Sequence, residues 1–495
     1  MMEEKILAVD VGSSSVKSAL YRMSGERLPG TDSALPYDLD VTRDGGATKD
    51  VEELFGLFVR AIDRAVQRAG DQLAQPIAGV AVSTFWHAVL GVDSAGDPTT
   101  PVFTWADRRA ARFTGELRGR LDPGRLHGRT GCPPHSSYLP AKLLWLASEG
   151  PEAFARTERW ISPGEYFYLR LFGPESLHVG VSMASGAGLM NLNRNAWDEE
   201  TLAALPIADS RLSQISEEPH GGLLPEWSRR WPALNEASWF PAAGDGACSN
   251  VGIGATGPQR SALMVGTSGA MRVMWEADSV EVPAGLWCYR PDRGRFISGG
   301  ALSDGGNLVA WLQKTLRLPE PEKAEEEISN RAPGSHGLDF LPLLAGERGP
   351  EWSDLANGAV TGLSMSTEPI DILHAAMEAV ALRFALIWHT IERCIPSQGE
   401  RGIIATGGGL SNSPAWTRMM ADALGHPVTM SGAEEASSRG AALLAAERLG
   451  GSSIAEFDAP LADTIEPDNE RHQAYLAALR RQLELYGALV DPDRT

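Results

Sequence analysis

Two short stretches of this chain, about 250 residues apart, can be laid on each other. Val11-Gly12-Ser13-Ser14 meets Val265-Gly266-Thr267-Ser268, and each sits between two apolar runs. Ile6 to Val11 and Val16 to Leu20 flank the first tip; Ser261 to Val265 and Ala270 to Trp275 flank the second. Each unit reads as a β-hairpin with a small, hydroxyl-rich tip. A glycine lets backbone N–H groups approach an anion, and the hydroxyls add donors. A chain that starts twice in this way is constrained to two related α/β halves. Only the first hairpin carries a carboxylate, Asp10, at its strand end; Met264 takes the matching place in the second. An oxygen ligand for a hard cation belongs at such a strand end, where an ordinary turn-forming aspartate is the alternative.

The length supports two large domains. At 495 residues the chain exceeds one comfortable core. The division is set at 1–243 and 244–495, where a Pro- and Trp-rich stretch, Ser216 to Phe240, gives way to Gly244-Asp245-Gly246 and a small-residue helix, Ala247 to Ala255. Elsewhere the 3.6 period predicts helices over 51–69, opened by a capping box at Asp50 and Glu53, and over 371–391 and 472–489. The last of these reads as a packing appendage. Buried strands are expected over 77–83, 87–92 and 403–406, and a charged helical region over 106–160. Gly299-Gly300 reads as a loop entering a helix, and Ser437 to Gly440 as the lead-in to an alanine-rich helix, 441–449.

Composition excludes several classes. A formal charge of −20 repels polyanions, so nucleic acid is not an expected partner, although a small phosphate held by local N–H groups is. No apolar run is long enough to span a bilayer, and the first residues lack a signal-peptide pattern, so a cytoplasmic location is expected. Cys132, Cys248, Cys288 and Cys394 are far apart and suggest neither a zinc site nor a disulfide framework.

Glycine turns follow apolar strands near Gly12, Gly266 and Gly407, and none has the spacing of a P-loop or a dinucleotide fingerprint. Jointly they describe a cleft between two halves, with phosphates at the hairpin tips and a purine on a glycine surface.

Longer motifs carry a resemblance. Gly358-Ala-Val-Thr-Gly362-Leu363 followed by Asp371-Ile-Leu-His-Ala375-Ala-Met-Glu378 is similar to a signature of the FGGY family of carbohydrate kinases, at the family's spacing. Ala141-Lys142-Leu-Leu-Trp145-Leu146 resembles its other signature, departing at Leu139, where a small or hydroxylated residue is usual. Glu347-Arg348-Gly349-Pro350-Glu-Trp352 also has the family's look. The resemblance runs from about residue 5 to residue 450. It implies an α/β, two-domain actin/Hsp70-like ATPase (ribonuclease H-like) fold with ATP and sugar in the interdomain cleft. Within the family, Ser83-Thr-Phe-Trp86-His87, the segment from Pro101 through Trp105 to Asp107-Arg108, and Arg129-Thr-Gly131-Cys-Pro-Pro-His135 are most like gluconate kinases; xylulose kinases share a histidine like His87.

Roles follow from the resemblance and can be checked against chemistry. Asp245 resembles the family's catalytic base, accepting a proton as an alcohol attacks the γ-phosphate; a helix N-cap is its other reading, and one residue can do both. Asp10 resembles the magnesium-linked aspartate. Ser13, Ser14 and Ser15 would meet the terminal phosphates, with Gly266 and Thr267 approaching from the other half. Gly306, Gly408 and Asn412 resemble positions lining the adenosine, with a helix cap as the rival for Asn412. Lys17 either neutralises phosphate or is a solvated strand residue. Trp86, His87, Asp107 and Arg108 are the sugar-side candidates: an aromatic wall, hydrogen-bonding partners and a guanidinium for a carboxylate, Arg108 being equally readable as a surface charge. ATP and Mg2+ are the expected cofactors. D-Gluconate is the expected acceptor, with xylulose or another pentulose or polyol as the near alternative and a non-catalytic ATP switch of the same fold as the distant one. A homodimer is left open.

Overall fold

In the computed structural model the described residues are 4–70, 77–354, 356–397 and 399–490. The first strand, β1 (Lys5–Val11), is almost wholly buried, as its apolar run requires. It pairs antiparallel with β2 (Ser15–Arg22), setting Asp10 opposite Lys17, and β2 pairs with β3 (Ser33–Pro36). On its other edge β1 pairs in parallel with β4 (Ile77–Thr84), placing Ser83 beside Asp10 and Thr84 beside Val11. The chain returns to β4 twice more, through β5 (Ser238–Trp239) and β6 (Ala243–Gly244).

The second half repeats this scheme. β7 (Arg260–Val265) pairs antiparallel with β8 (Gly269–Glu276) and parallel with β11 (Gly402–Thr406). β8 continues to β10 (Arg295–Leu302), with β9 (Trp287–Tyr289) at the edge. β12 (Val428–Ser431) and β13 (Leu461–Ile465) complete seven strands. In both sheets the strand before the tip lies between an antiparallel hairpin partner and a later parallel strand. The hairpin relation in the sequence is thus a duplication of topology.

Helices fill the faces. α1 (Val51–Ala69) presents Leu54, Phe55, Phe58 and Ile62 to the first sheet. Asp50 caps it by accepting from Glu53 N–H, but Glu53 turns its own carboxylate to Lys49, so only half of the capping box forms. The 106–160 region is divided among a 3₁₀ turn and four short helices, Phe113–Arg120, Pro123–Thr130, Leu139–Glu149 and Pro151–Arg156. Three of these helices carry proline in their first turn, where its missing N–H costs no helical bond. Leu139, the signature's departure, opens one of them and is buried.

Two junction helices decide where the halves meet. One, Asp245–Gly252, follows β6 directly. The other, Ala436–Arg448, packs against it so tightly that a Cβ on Gly440 would fall 1.7 Å from the Cys248 carbonyl oxygen. Its Ala441, Ala442, Ala445 and Ala446 share a cluster with Ile6, Ala8 and Ala81 of the first sheet. Ser437 to Gly440 therefore lie inside this helix rather than ahead of it. Gly299 and Gly300 likewise sit in β10, not in a loop: a Cβ on Gly299 would meet the Met271 carbonyl oxygen at 1.9 Å. Small residues there signal close approach rather than a turn. The strand expected from His87 begins only at Leu90, because His87 adopts φ +62°. Among the described residues no helix is long and apolar enough to cross a membrane.

Candidate active site

A cavity of about 220 Å³ lies between the halves. Ser13 of the first tip and Thr267 and Ser268 of the second line it together with Asp245. Both tips are tight turns: Gly12 N–H donates to Ser15 O at 3.0 Å and Gly266 N–H to Ser268 O at 2.9 Å. Two further glycine turns close on the second tip. Gly306 N–H donates to Gly266 O at 2.8 Å, where a Cβ on Gly306 would lie 2.6 Å from the same oxygen. Gly407, at φ +99°, would place a Cβ 2.4 Å from Val265 O. Gly266, Thr267, Gly306 and Gly408 therefore form one surface. Asn412 stands exposed at its rim as the C-cap of the single turn Gly408–Ser411.

Asp245 is the first residue of its helix, after the cap Gly244, and its side chain accepts from the next N–H, Gly246, at 2.8 Å. That leaves carboxylate capacity toward the cavity. Burial raises its pKa above the ordinary carboxylate value, opposed by the Arg272 guanidinium, the Gly246 N–H and Arg348. A base in this environment holds a proton better than a solvated aspartate does. Asp10 lies deeper. Its Oδ1 is buried without a hydrogen-bond partner, as are the hydroxyls of Ser83 and Thr84. Burial, with added repulsion from Asp245, lifts its pKa to about 7 against the pull of the Lys17 ammonium. A buried carboxylate oxygen with no donor is a place for a cation.

The remaining wall is aromatic. Trp86 lies across Gly244 and Gly246 and donates its Nε1–H to Ser182 O at 2.9 Å. Trp287 stacks on Tyr289 at 4.4 Å, and the Tyr138 and Tyr289 hydroxyls meet at 2.6 Å across the two halves. His87 approaches Gly186 O through Nδ1 at 2.5 Å. A carbonyl can only accept, so Nδ1 carries the proton. Burial pushes the ring's pKa down to about 3, so it is neutral and Nε2 is left as an acceptor for a hydroxyl. The strained His87 backbone is held from behind by Lys142. Its buried ammonium donates to His87 O at 3.4 Å, Ser136 O at 3.1 Å and Ser137 O.

The sequence matches the description "FGGY family of carbohydrate kinases, N-terminal domain" over residues 5–252 and "FGGY family of carbohydrate kinases, C-terminal domain" over residues 261–448. The chain belongs to the FGGY family of carbohydrate kinases. It is similar to a gluconokinase of Bacillus licheniformis, 28% identical over 90% of this chain and 87% of that one. The structures of a gluconate kinase and of a ligand-bound xylulose kinase, both from Lactobacillus acidophilus, each superpose with a TM-score of 0.86 at 26% identity, covering 99% of both chains. The kinase is therefore a two-domain, ATP-using phosphotransferase acting on a carbohydrate.

Not every anticipated residue of the kinase reaches the cavity. Asp107 is buried away from it, accepting from Ala47 N–H at 3.1 Å and from Arg109 Nε at 3.1 Å. Arg108 reaches over to the other half and donates to Asp354 O at 3.2 Å. Lys17 pairs with Glu435 at 2.7 Å. Ser14 and Ser15 turn with the first tip but only Ser13 lines the cavity. His135 is a fastener: its Nδ1 accepts Ser137 N–H, and Nε2 faces Asp354 at 3.3 Å. Glu378 of the signature is a fastener too. It accepts from Gly334 N–H at 3.1 Å and from His336 Nε2 at 2.9 Å. Because His336 Nδ1 accepts Leu338 N–H, its Nε2 must carry the proton, which suits a donor to Glu378 and not a metal ligand.

The kinase's sequence gave weak signals for the residues that do reach it. Arg272 is the lone charge in the apolar run Ala270 to Trp275 and is 8% exposed. Arg348 and Trp352 stand in the Glu347–Trp352 motif, whose pattern does not say what they face. Tyr138, Trp287 and Tyr289 read as ordinary apolar-strand or loop residues.

Proposed function

We propose that this kinase transfers the γ-phosphoryl group of ATP to the terminal hydroxyl of D-gluconate, giving 6-phospho-D-gluconate and ADP. The observation that carries the reading is the placement of Asp245. Among the described residues it is the only carboxylate on a cavity lined by both hydroxyl-bearing hairpin tips and an aromatic wall. Asp245 accepts the hydroxyl proton as the new P–O bond forms and the bond to ADP breaks. Ser13, Ser14 and Ser15 face the terminal phosphates with Gly266 and Thr267, and Gly306, Gly408 and Asn412 bound the adenosine. Trp86 packs a carbon face of the open-chain acceptor, while His87 Nε2 accepts from one of its hydroxyls. Lys17, released from Glu435, would add phosphate charge neutralisation.

Asp10 fits a hard cation, because its unpartnered oxygen lies beside the tip. Mg2+ there would neutralise phosphate charge while keeping waters of its own. A cytoplasmic location is part of this reading, with ATP as the phosphoryl donor.

ADP release measured against a panel of sugars, polyols and sugar acids tests the substrate. Asp245→Asn tests the base: it should still bind gluconate and ATP by calorimetry while turnover falls by about 10²–10⁴-fold. Normal turnover in that variant refutes the assignment. A neutral ketose such as xylulose is the second reading, favoured by the equal structural likeness to the xylulose kinase; preference for it over gluconate in the panel would decide for it.

A further inference from the structure

Lys17 stands directly opposite Asp10 in the β1–β2 pair. Directly opposed residues of an antiparallel pair project from one face, with Cβ atoms about 4.5–5.5 Å apart. A lysine side chain spans that gap, and opposite charges so placed ordinarily pair. Here they do not. Lys17 Nζ lies 2.7 Å from Glu435 Oε2, its only ion pair among the described residues. Asp10 Oδ1 stays buried and without a hydrogen-bond partner. Both charges reach Asp10: beyond burial, which raises its pKa most, the Lys17 ammonium lowers it and the Glu435 carboxylate raises it. The three groups are neighbours, and the lysine is drawn to the outer carboxylate.

The fold fixes Glu435 over this spot. Ile6, Ala8 and Asp10 alternate onto one face of β1, and Lys17, Ala19 and Tyr21 onto the same face of β2. The junction helix Ala436–Arg448 covers that face, its Ala441 and Ala445 sharing a cluster with Ile6, Ala8 and Tyr21. Glu435 precedes this helix in the N-cap position, yet its side chain makes no capping bond. Its backbone is left-handed, at φ +49° and ψ +54°. That region is uncommon for a glutamate and suits glycine, asparagine or aspartate better. Such a conformation persists only where the surroundings enforce it. A Cβ on Gly252 would lie 1.8 Å from Ala436 O, so the helix start is pressed onto its neighbour. Arg439 donates to Gly25 O at 3.2 Å and to Gly252 O at 2.6 Å, and Glu434 pairs with Arg27 at 2.5 Å. The strained residue thus neither caps its helix nor fills a core. What it does is set a carboxylate on Lys17.

We propose that Glu435 is a positioning residue: it holds the Lys17 ammonium off Asp10 and so keeps the Asp10 carboxylate open for the divalent cation that accompanies ATP. The inference rests on the cation reading of Asp10 given above and names the group that protects it. Without Glu435 the ammonium falls back on Asp10 and competes with a metal ion for the same oxygen. A cation seated on Asp10 repels the ammonium in turn, so Lys17 can pass to a phosphate without blocking the site.

Calorimetry with adenylyl imidodiphosphate, a non-hydrolysable ATP analogue, tests this without turnover. Its affinity is measured with Mg2+ and with EDTA in place of Mg2+, and the ratio of the two gives the metal's contribution. Glu435→Gln should cut the wild-type ratio by about 10-fold. Adding Lys17→Met to Glu435→Gln should restore it, because no ammonium is left to occupy Asp10. Lys17→Met alone should keep the wild-type ratio, whatever it does to the affinity itself. Loss of a merely structural ion pair would leave the double variant no better than Glu435→Gln. An unchanged ratio in Glu435→Gln, or no recovery in the double variant, overturns the assignment. Glu435→Asn, which suits the left-handed backbone, takes the place of the Gln variant if that one does not fold. Asp10→Asn separates the two readings: a wild-type ratio in that variant refutes the cation reading of Asp10 itself, whatever Glu435 does.

Discussion

Gly244→Ala is the sharpest test of how the cavity is held together. Gly244 precedes Asp245, and a Cβ there would lie 1.9 Å from Trp86 Cε2, 2.1 Å from Nε1 and 2.4 Å from Cζ2. Carbon atoms in contact sit about 3.5–4.0 Å apart, so the indole must retreat by about 1.5 Å or the Asp245 backbone must move instead. The indole has little room to retreat. It is 5% exposed, its N–H is bonded to Ser182 O, and Tyr289 meets it edge-on at 5.0 Å. Overpacking of this kind costs about 1–3 kcal/mol of stability. The larger effect is on catalysis, because the wall and the base share this dipeptide. A displacement of about 1 Å costs about 10²-fold in rate, or about 2.7 kcal/mol of transition-state stabilisation. The assay is kcat/KM for gluconate at saturating ATP, with thermal melting alongside. Gly128→Ala is the control: Gly128 is an exposed interior residue of the helix Pro123–Thr130 with open space at its Cβ, so alanine there should be neutral or slightly stabilising. A Gly244→Ala enzyme with wild-type kcat/KM would refute the claim that Trp86 and Asp245 are fixed against one another.

Asp10→Asn should abolish turnover yet leave the ligand-free protein as stable as the wild type, or more so, above pH 7. The rise of Asp10 from 3.8 to about 7 means that the fold disfavours its charged form. Ligand-free stability from this group is full below pH 3.8 and is lost as pH climbs through 7, by at most about 4 kcal/mol; melting of both proteins without nucleotide between pH 5 and 8 reads the difference. Gly306→Ala should raise KM for ATP by about tenfold or more while sparing the affinity for gluconate, because its clash is with the Gly266 backbone rather than a flexible side chain; unchanged nucleotide binding by calorimetry would sink that account of the second tip. Lys142→Met strands the carbonyls of His87, Ser136 and Ser137 and should lower kcat/KM for gluconate more than ATP affinity, since those carbonyls belong to the sugar-side loops; equal effects on both ligands would argue against a sugar-side role.

What the sequence determined by itself was the part encoded in local pattern. The two hairpins, the long helix Pro369–Cys394 and the terminal helix Asn469–Leu489 are legible because apolar periodicity and glycine tips are properties of adjacent residues. Asp245 stood out through the family resemblance, with a helix cap as its rival from the residues alone, and the structure sets it on the cavity wall. The signature stretches identified the family, although most of their residues turn out to hold the scaffold: Lys142 gathers carbonyls and Glu378 gathers donors. Even the terminal helix, expected only to pack, reaches the site loop through Tyr486 and Glu347.

Only the tertiary structure decided which charges face the cavity. Asp107 and Arg108 look like sugar ligands in sequence, but Asp107 is neutralised locally by Arg109 and Arg108 is drawn to the Asp354 carbonyl of the other half. Arg272 and Arg348, about 75 residues apart in separate elements, both line it, with no ion pair to either among the described residues. The physical reason is that an ion pair is made with whatever the fold brings within about 4 Å, whether a sequence neighbour, as for Asp107 and Arg109, or a distant residue, as for Lys17 and Glu435.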